Sequence, residues 1–259
     1  MNPITLKRPQ TPRSEAFKAE LLKLLGIRST WWLALATVLL PAIIVSLRIG
    51  LPFEDPVVEF ASLADRLGLL AVQTNGSWMF VALGALLTAG EWRHRSATTT
   101  FLVQPRRLRL LISQIVVSTA TVAITAVLGA GLVRVVAEVL LAWKGAPHSF
   151  GADQWSTMIG AVLSSALFGA IGAGLGAVVR NAALAAVAVA AGSPLLDFLT
   201  GLFGEGVADT ISLTRAAERI AGDEGVNPLQ LTGFTTLAAW LLVTALVAGW
   251  RTGRADITS

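Results

Sequence analysis

The 259-residue chain is 54% hydrophobic and only 14% charged, has a formal net charge of +4 at pH 7, and contains no cysteine. Soluble domains average about 25% charged residues, so this composition excludes an ordinary soluble domain, and the absence of cysteine excludes disulfides and thiol chemistry. Several apolar blocks reach the roughly 18 to 25 residues that cross a hydrocarbon core about 30 Å thick. We therefore predict an all-α membrane protein.

The first segment, residues 1–29, carries six basic side chains before any apolar block begins. This charged lead is too long for a cleaved signal peptide, and no small-residue cleavage site follows it. After Ser14, a candidate N-cap, Phe17, Leu21 and Leu25 recur at helical spacing. The pattern predicts an amphipathic helix along the inner headgroup layer, with a helical extension of the first span as the alternative.

Six apolar blocks are predicted to be transmembrane helices. They are residues 31–47, 69–90, 110–133, 158–179, 182–203 and 233–250. We expect Ser193-Pro194 to interrupt the fifth helix, because proline removes a helical hydrogen bond. Fourteen of the twenty Lys and Arg residues fall on the side that holds the two termini. The positive-inside rule therefore predicts that both termini, including the tail 251–259, are cytoplasmic.

Polar residues inside the spans are the candidates for a translocation path. They are Gln73, Asn75 and Ser77 of the second span, Thr121 and Thr125 of the third, and Asp197 of the fifth. Such side chains usually face a helix interface or a wet path, so the second-span residues serve either interhelical hydrogen bonds or the path. Asp197 is either functional or an interfacial capping residue at the outer end of its helix.

Two glycines of the fourth span, Gly172 and Gly176, are predicted to pack against another helix. Small residues four apart let two helix backbones approach closely in lipid. The sequence leaves open whether the partner helix belongs to the same chain or to a second copy.

Two features are predicted on the outer side. Arg134 and Glu138 have the i, i+4 spacing of a helical ion pair, which would extend the third helix beyond the membrane interface. In the outer segment 204–232, isoleucine and alanine recur at intervals that predict one or two short amphipathic helices.

No enzyme signature is present in the sequence. The two histidines, His94 and His148, fall in loops on opposite sides of the membrane, about 30 Å apart. The chain has no HExxH, no GxSxG and no GxxxxGK[ST] phosphate loop. We therefore expect no catalytic, cofactor or metal site, and any energy from ATP must come from another polypeptide. The positive-inside rule explains the basic excess, so no nucleic acid partner is needed.

The cytoplasmic loop 91–109 is the most patterned part of the chain and carries five arginines. Trp92, Ser96, Thr99 and Val103 fall on one face of a helix. Glu91 would stabilise the N-terminal end of this helix, because an acidic side chain interacts favourably with the helix dipole there. Pro105 ends it. The pattern predicts a short cytoplasmic helix joined to the second and third spans, on which a soluble partner acts. The alternative is a basic loop that only sets the topology.

This loop resembles a family signature. The run Glu-Trp-Arg-His-Arg-Ser at 91–96, followed by three threonines and by Pro-Arg-Arg at 105–107, resembles the E-Y-R-x-G-T…P-x-R motif of ABC-2 type transporter permeases. Tryptophan replaces the usual tyrosine, arginine the glycine and serine the threonine. Residues 15–32 are similar to the amphipathic leading helix of that family, and residues 174–190 to its hairpin between the fourth and fifth spans.

The resemblance implies a six-span permease subunit that pairs with a second copy as a homodimer. It also implies two cytoplasmic ABC ATPase subunits, which hold the ATP and Mg. It implies export across the cell membrane, and short re-entrant helices between spans five and six. The residues that it assigns to ATPase coupling are Glu91, Trp92, Arg93, Ser96, Thr99 and Val103. The competing hypothesis is an ATP-independent membrane carrier, or a non-transporting scaffold or sensor.

Overall fold

The structure is a computed structural model that describes residues 28–50, 76–93, 107–145, 152–221 and 228–254. Within these ranges the chain forms helices joined by short turns and contains no strand. The helices are α1 (Arg28–Gly50), α2 (Gly76–Arg93), α3 (Arg107–Trp143), α4 (Ala152–Val179), α5 (Ala182–Gly201), α6 (Glu205–Ile211), α7 (Leu213–Ile220) and α8 (Pro228–Arg254).

Five of these helices, α1, α3, α4, α5 and α8, are long and apolar enough to cross a membrane. Such helices are typical of a multi-pass membrane protein. The described apolar part of α2, Trp78–Gly90, is shorter than a full span. The outer part of the predicted second span, residues 69–75, lies outside the described residues, as does the predicted amphipathic helix in residues 1–27.

Helix α4 lies at the centre of the bundle and packs against α2, α3, α5, α7 and α8. Its span is 61% buried, whereas the span of α5 is 12% buried. The main apolar core gathers side chains from α2, α3, α4, α7 and α8 around Phe168, which is 1% exposed. The central position of α4 follows from its small residues, which let neighbouring helices approach from several directions.

The contact between α2 and α4 brings their backbones together. A Cβ atom at Gly172 would overlap the carbonyl oxygen of Val81 and lie 2.7 Å from its Cα. A Cβ at Gly84, on α2, would overlap the carbonyl oxygen of Gly169. Glycine is therefore required on both helices at this crossing, since any side chain would push them apart.

The same contact continues one turn further along both helices. A Cβ at Gly176 would lie 2.6 Å from the carbonyl oxygen of Ala85. Thr88 Oγ1 donates a hydrogen bond of 2.9 Å to the carbonyl oxygen of Ala173. The helix that packs against the two predicted packing glycines is thus α2 of the same chain.

The long helices alternate in direction along the chain, so the bundle has two distinct ends. Leu111 at the start of α3 forms a cluster with Ala177 and Ala248, which lie near the ends of α4 and α8. At the opposite end, Ile49 of α1 packs in one cluster with Leu141 of α3. Helices α1, α3 and α5 therefore begin at the end where α2, α4 and α8 finish. We call the end where α1, α3 and α5 begin the arginine end, because Arg28, Arg107, Arg180 and Arg251 lie there.

Exposed tryptophans lie at both ends of the bundle. Trp31, Trp32 and Trp250 are exposed at the arginine end, and Trp78, Trp143 and Trp155 are exposed at the opposite end. Tryptophan is enriched at the two water interfaces of a membrane because its ring is apolar and its N–H group is polar. The two groups are thus placed as aromatic belts would be.

Several helices differ from the predicted spans. The expected interruption of α5 is not observed: Pro194 lies inside a continuous helix. Transmembrane helices tolerate proline, since neighbouring groups satisfy the freed carbonyl. Helix α3 continues to Trp143, ten residues past the predicted end of the span. Arg134 and Glu138 pair at 3.0 Å on this extension, as predicted. Helix α8 begins at Pro228, five residues before the predicted start of the sixth span.

The segment between α5 and α8 contains two short helices, α6 and α7, where the sequence predicted one or two. Ser212 separates them and caps α7 by accepting a hydrogen bond of 3.0 Å from the Arg215 amide. Trp240 Nε1 of α8 donates to the carbonyl oxygen of Ile211 at 3.0 Å. The apolar side of α7 is buried in the main core. Helices α6 and α7 therefore lie at the end of the bundle opposite the arginine end.

Candidate functional site at the arginine end

The predicted coupling residues fall into two groups. Glu91, Trp92 and Arg93 form the last turn of α2, so the signature motif begins inside a helix of the bundle. Ser96, Thr99 and Val103 lie outside the described residues. The loop is thus attached directly to α2, and α2 is held against α4 by contacts between glycine backbones.

The predicted path residues are not brought together in the described part of the chain. Gln73 and Asn75 lie outside it, and Ser77 is in the first turn of α2. Thr121 and Thr125 donate hydrogen bonds of 2.8 Å to carbonyl oxygens of their own helix, α3. A threonine hydroxyl satisfied in this way needs no partner from another helix or from a substrate.

Asp197 lies on α5, and α3 and α5 share no extensive contact. Asp197 is therefore not placed beside Thr121 and Thr125 of α3. Its Oδ1 atom is buried and accepts no hydrogen bond from the described residues. A buried carboxylate oxygen without a donor is costly, so this position is a candidate for a functional group.

Arginines are concentrated at one end of the bundle. The described residues there include Arg28, Arg93, Arg107, Arg109, Arg180, Arg251 and Arg254. Glu91 is the one acidic residue in the described helix ends on that side. The opposite end mixes both signs, as the Arg134–Glu138 pair illustrates. The two ends of the bundle therefore differ in charge, as the two faces of a membrane protein usually do.

The turn between α4 and α5 contains only Arg180 and Asn181. Arg180 adopts a left-handed conformation with φ of 59°, and its amide donates to the carbonyl oxygen of Gly176 at 2.8 Å. This is the C-terminal helix position that glycine usually occupies, and a residue with a Cβ there costs about 1 kcal/mol. Asn181 Oδ1 caps α5 by accepting hydrogen bonds from the amides of Ala183 and Leu184 at 3.0 and 3.2 Å.

A cavity of about 570 Å³ lies beside this turn, between α1, α2 and the start of α5. Leu33 of α1, Leu86 and Ala89 of α2, and Ala186 of α5 line its apolar part, and Arg180 contributes a charge. Pockets that bind small molecules usually measure about 300 to 1,000 Å³ and combine apolar walls with a few polar groups. The cavity therefore combines a volume in this range with apolar walls and one charged side chain.

The pKa of Arg180 is lowered from its usual value, first by partial burial and then by the positive charge of Arg251. Both causes disfavour the charged form, yet a guanidinium remains protonated in proteins. The turn therefore concentrates positive charge beside an apolar cavity, an arrangement that attracts an anion.

In the sequence, Arg180 is one of the fourteen basic residues on the side of the termini, and it lies at the centre of the segment 174–190 that is similar to the family's hairpin. A usable signal was present: a charged residue in a two-residue turn between two apolar helices. The cavity beside it depends on the positions of α1 and α2, which the sequence does not contain. In the comparisons with known proteins, no family model and no curated protein matches this chain.

Proposed function

We propose that the chain is the membrane-spanning permease subunit of an ATP-driven ABC-2 type transporter. In this proposal it exports a substrate across the cell membrane as a homodimer, and two separate ATPase subunits supply the energy. The observation that carries the proposal is the continuity of α2 with the signature motif, since α2 ends at Arg93 within the loop sequence that resembles the family.

The packing of α2 supports a mechanical role for the loop. Nearly every described side chain from Met79 to Ala89 is buried, and the crossing with α4 leaves no space for a Cβ. A displacement applied at Arg93 would therefore move α2 and α4 together, because closely packed interiors transmit strain. ATP binding in the partner subunits changes the spacing of the two loops, and this motion tilts the paired helices and opens or closes the path.

The charge distribution supports the orientation that this mechanism needs. The α2–α3 connection begins and ends at the arginine end, where α1 also begins and α8 finishes. A basic face of a bilayer protein is the cytoplasmic face, where ATPase subunits are located. The sequence has no phosphate loop, so ATP must be bound by a partner.

The test is purification of the full chain from its native membrane in a mild detergent, followed by identification of bound proteins and measurement of ATPase activity. We expect a soluble phosphate-loop protein in stoichiometric amount and ATP hydrolysis in the complex. A transport-competent preparation without such a subunit would overturn the proposal.

A pair of variants localises the coupling. Trp92→Ala at the arginine end should leave membrane insertion intact and abolish both ATPase retention and transport. Trp143→Ala is the matched control, because Trp143 is 81% exposed at the opposite end of the bundle. Equal behaviour of the two variants would contradict the assignment of the loop as the coupling element.

The alternative function is a gradient-driven carrier, which the buried Oδ1 atom of Asp197 favours. A carrier that couples to protons needs a titratable group within its spans. Asp197→Asn would then abolish substrate movement driven by a proton gradient without any ATPase subunit. Unchanged efflux in this variant would identify Asp197 as an interfacial residue instead.

A further inference from the structure

We propose that the cavity at the arginine end binds an anionic phospholipid, whose phosphate contacts Arg180 and whose acyl chain lies between α1, α2 and α5. The proposal depends on the cavity, its charge and its place in the bundle. It holds for a permease and for a carrier alike, so it does not rest on the proposed function.

The walls of the cavity suit a hydrocarbon chain. Leu33 and Leu86 supply apolar surface, while Ala89 and Ala186 leave width because their side chains are short. An unbranched acyl chain fills a space between helices where no protein side chain reaches. The alternative, an apolar cavity left empty in a bilayer, would forfeit the dispersion contacts of its lining atoms.

The depth of the cavity places the charged group at the level of lipid headgroups. Leu33 follows directly after Trp31 and Trp32, which are exposed where α1 begins. Exposed tryptophans mark the boundary between hydrocarbon and headgroups. Basic pockets between transmembrane helices on the cytoplasmic side are suited to anionic headgroups, which are abundant in that leaflet.

The charges at the turn are complementary to a phosphate. Arg180 lines the cavity, and the positive charge of Arg251 is close enough to act on it. An anion between two guanidinium groups relieves their mutual repulsion and accepts charge-assisted hydrogen bonds.

The backbone of Arg180 provides an independent argument. Its φ of 59° lies in the region that glycine adopts without strain, yet the chain has a long cationic side chain there. Strained residues cluster at functional sites, where the side chain is needed despite its conformation. A simple turn between two helices would be more stable with glycine, so the guanidinium has a role beyond making the turn.

The Arg180→Gly variant tests the charge without destabilising the turn, because glycine adopts a φ of 59° without strain. The full chain is purified in detergent and delipidated, and its thermal unfolding is followed with added phosphatidylglycerol, with phosphatidylcholine of the same acyl chains, or with inorganic phosphate. We expect phosphatidylglycerol to raise the midpoint far more than phosphatidylcholine does, and inorganic phosphate to have no effect at the same concentration.

Four variants distinguish the contribution of the Arg180 charge from that of the cavity volume. Arg180→Gly should weaken phosphatidylglycerol binding by about tenfold or more, as expected for the loss of a charge-assisted hydrogen bond, while its unfolding midpoint without lipid stays the same or rises. Arg180→Lys should retain most of the binding. Ala186→Phe fills the cavity and should lose the lipid while the charge is kept. Lys144→Gln removes a charge at the opposite end and should bind like the original chain.

Three results would overturn the proposal. Equal stabilisation by the two lipids would show that the site does not recognise charge. An effect of inorganic phosphate as large as that of phosphatidylglycerol would identify a free-anion site without an acyl-chain channel. Undiminished phosphatidylglycerol binding by both Arg180→Gly and Ala186→Phe would place the lipid elsewhere on the molecule.

Discussion

Helices α4 and α5 follow each other through a two-residue turn, and both are rich in small apolar residues, yet their surroundings are opposite. The spans have similar mean hydropathy, 2.0 and 1.8, but 61% of the α4 span is buried and only 12% of the α5 span. The position of their glycines explains the difference. Gly172 and Gly176 face the backbone of α2, whereas Gly192 and Gly201 have no atom within 4 Å of where a Cβ would stand.

Hydropathy therefore identifies a membrane span but not its place in the bundle. In lipid, apolar side chains gain little by leaving the hydrocarbon for a protein interior, so close packing decides which helix becomes central. Helix α5 instead presents large exposed side chains such as Leu195 and Phe198. That surface is free to contact lipid or a second copy of the chain.

The largest expected effect is on Gly172. Gly172→Ala places a methyl group against the backbone of Val81, which cannot move aside as a side chain would. We expect a loss of about 3 kcal/mol in the free energy of unfolding, measured by denaturant titration in mixed micelles. Gly192→Ala, with open space around it, is the matched control and should be neutral or slightly stabilising. Similar losses of stability at both positions would contradict the inference that close glycine packing distinguishes α4 from α5.

The second prediction concerns one phenylalanine on each helix. Phe168 on α4 is 1% exposed and Phe198 on α5 is 67% exposed. Phe168→Ala leaves a cavity in the core and should cost about 2 kcal/mol, less than in a soluble protein because the unfolded side chain stays in lipid. Phe198→Ala should change stability by no more than about 0.5 kcal/mol. A large loss for Phe198→Ala in the same titration would reveal a contact with another chain.

The third prediction sharpens the role of the turn that joins the two helices. Asn181→Ala removes the side chain that accepts hydrogen bonds from two amides of α5. We expect a loss of about 1 kcal/mol, measured by the same unfolding titration. Asn181→Ser keeps a capping oxygen and should restore most of the stability. If serine and alanine behave alike, the cap does not hold the start of α5.

The smallest effect is expected for the hydrogen bond between α2 and α4. Thr88→Val removes the bond from Thr88 Oγ1 to the carbonyl oxygen of Ala173 and should cost about 0.6 kcal/mol, the average for such bonds in membranes. Thr200→Val is the control on α5, since the Thr200 hydroxyl donates to Leu196 in its own helix. Equal unfolding free energies for the two variants would show that glycine packing alone holds α2 against α4.

Particular residues show how far sequence reasoning reached. The ion pair between Arg134 and Glu138 was predicted from spacing, because residues four apart are neighbours on any helix. The interruption expected at Pro194 was wrong, because the helix continues through it. The coupling assignment of the loop stays a prediction, and so do the path residues Gln73 and Asn75, which lie outside the described part of the chain.

The sequence by itself determined the helical class and most of the spans, because the thickness of a bilayer requires long apolar runs and the hydrogen bonds of a helix are local. It also contained the basic asymmetry that marks one face. Only the tertiary structure decided that α2 is the partner of the α4 glycines and that Arg180 lines a cavity with α1 and α2. These features depend on how surfaces far apart in the chain fit together, which is a property of shape in three dimensions.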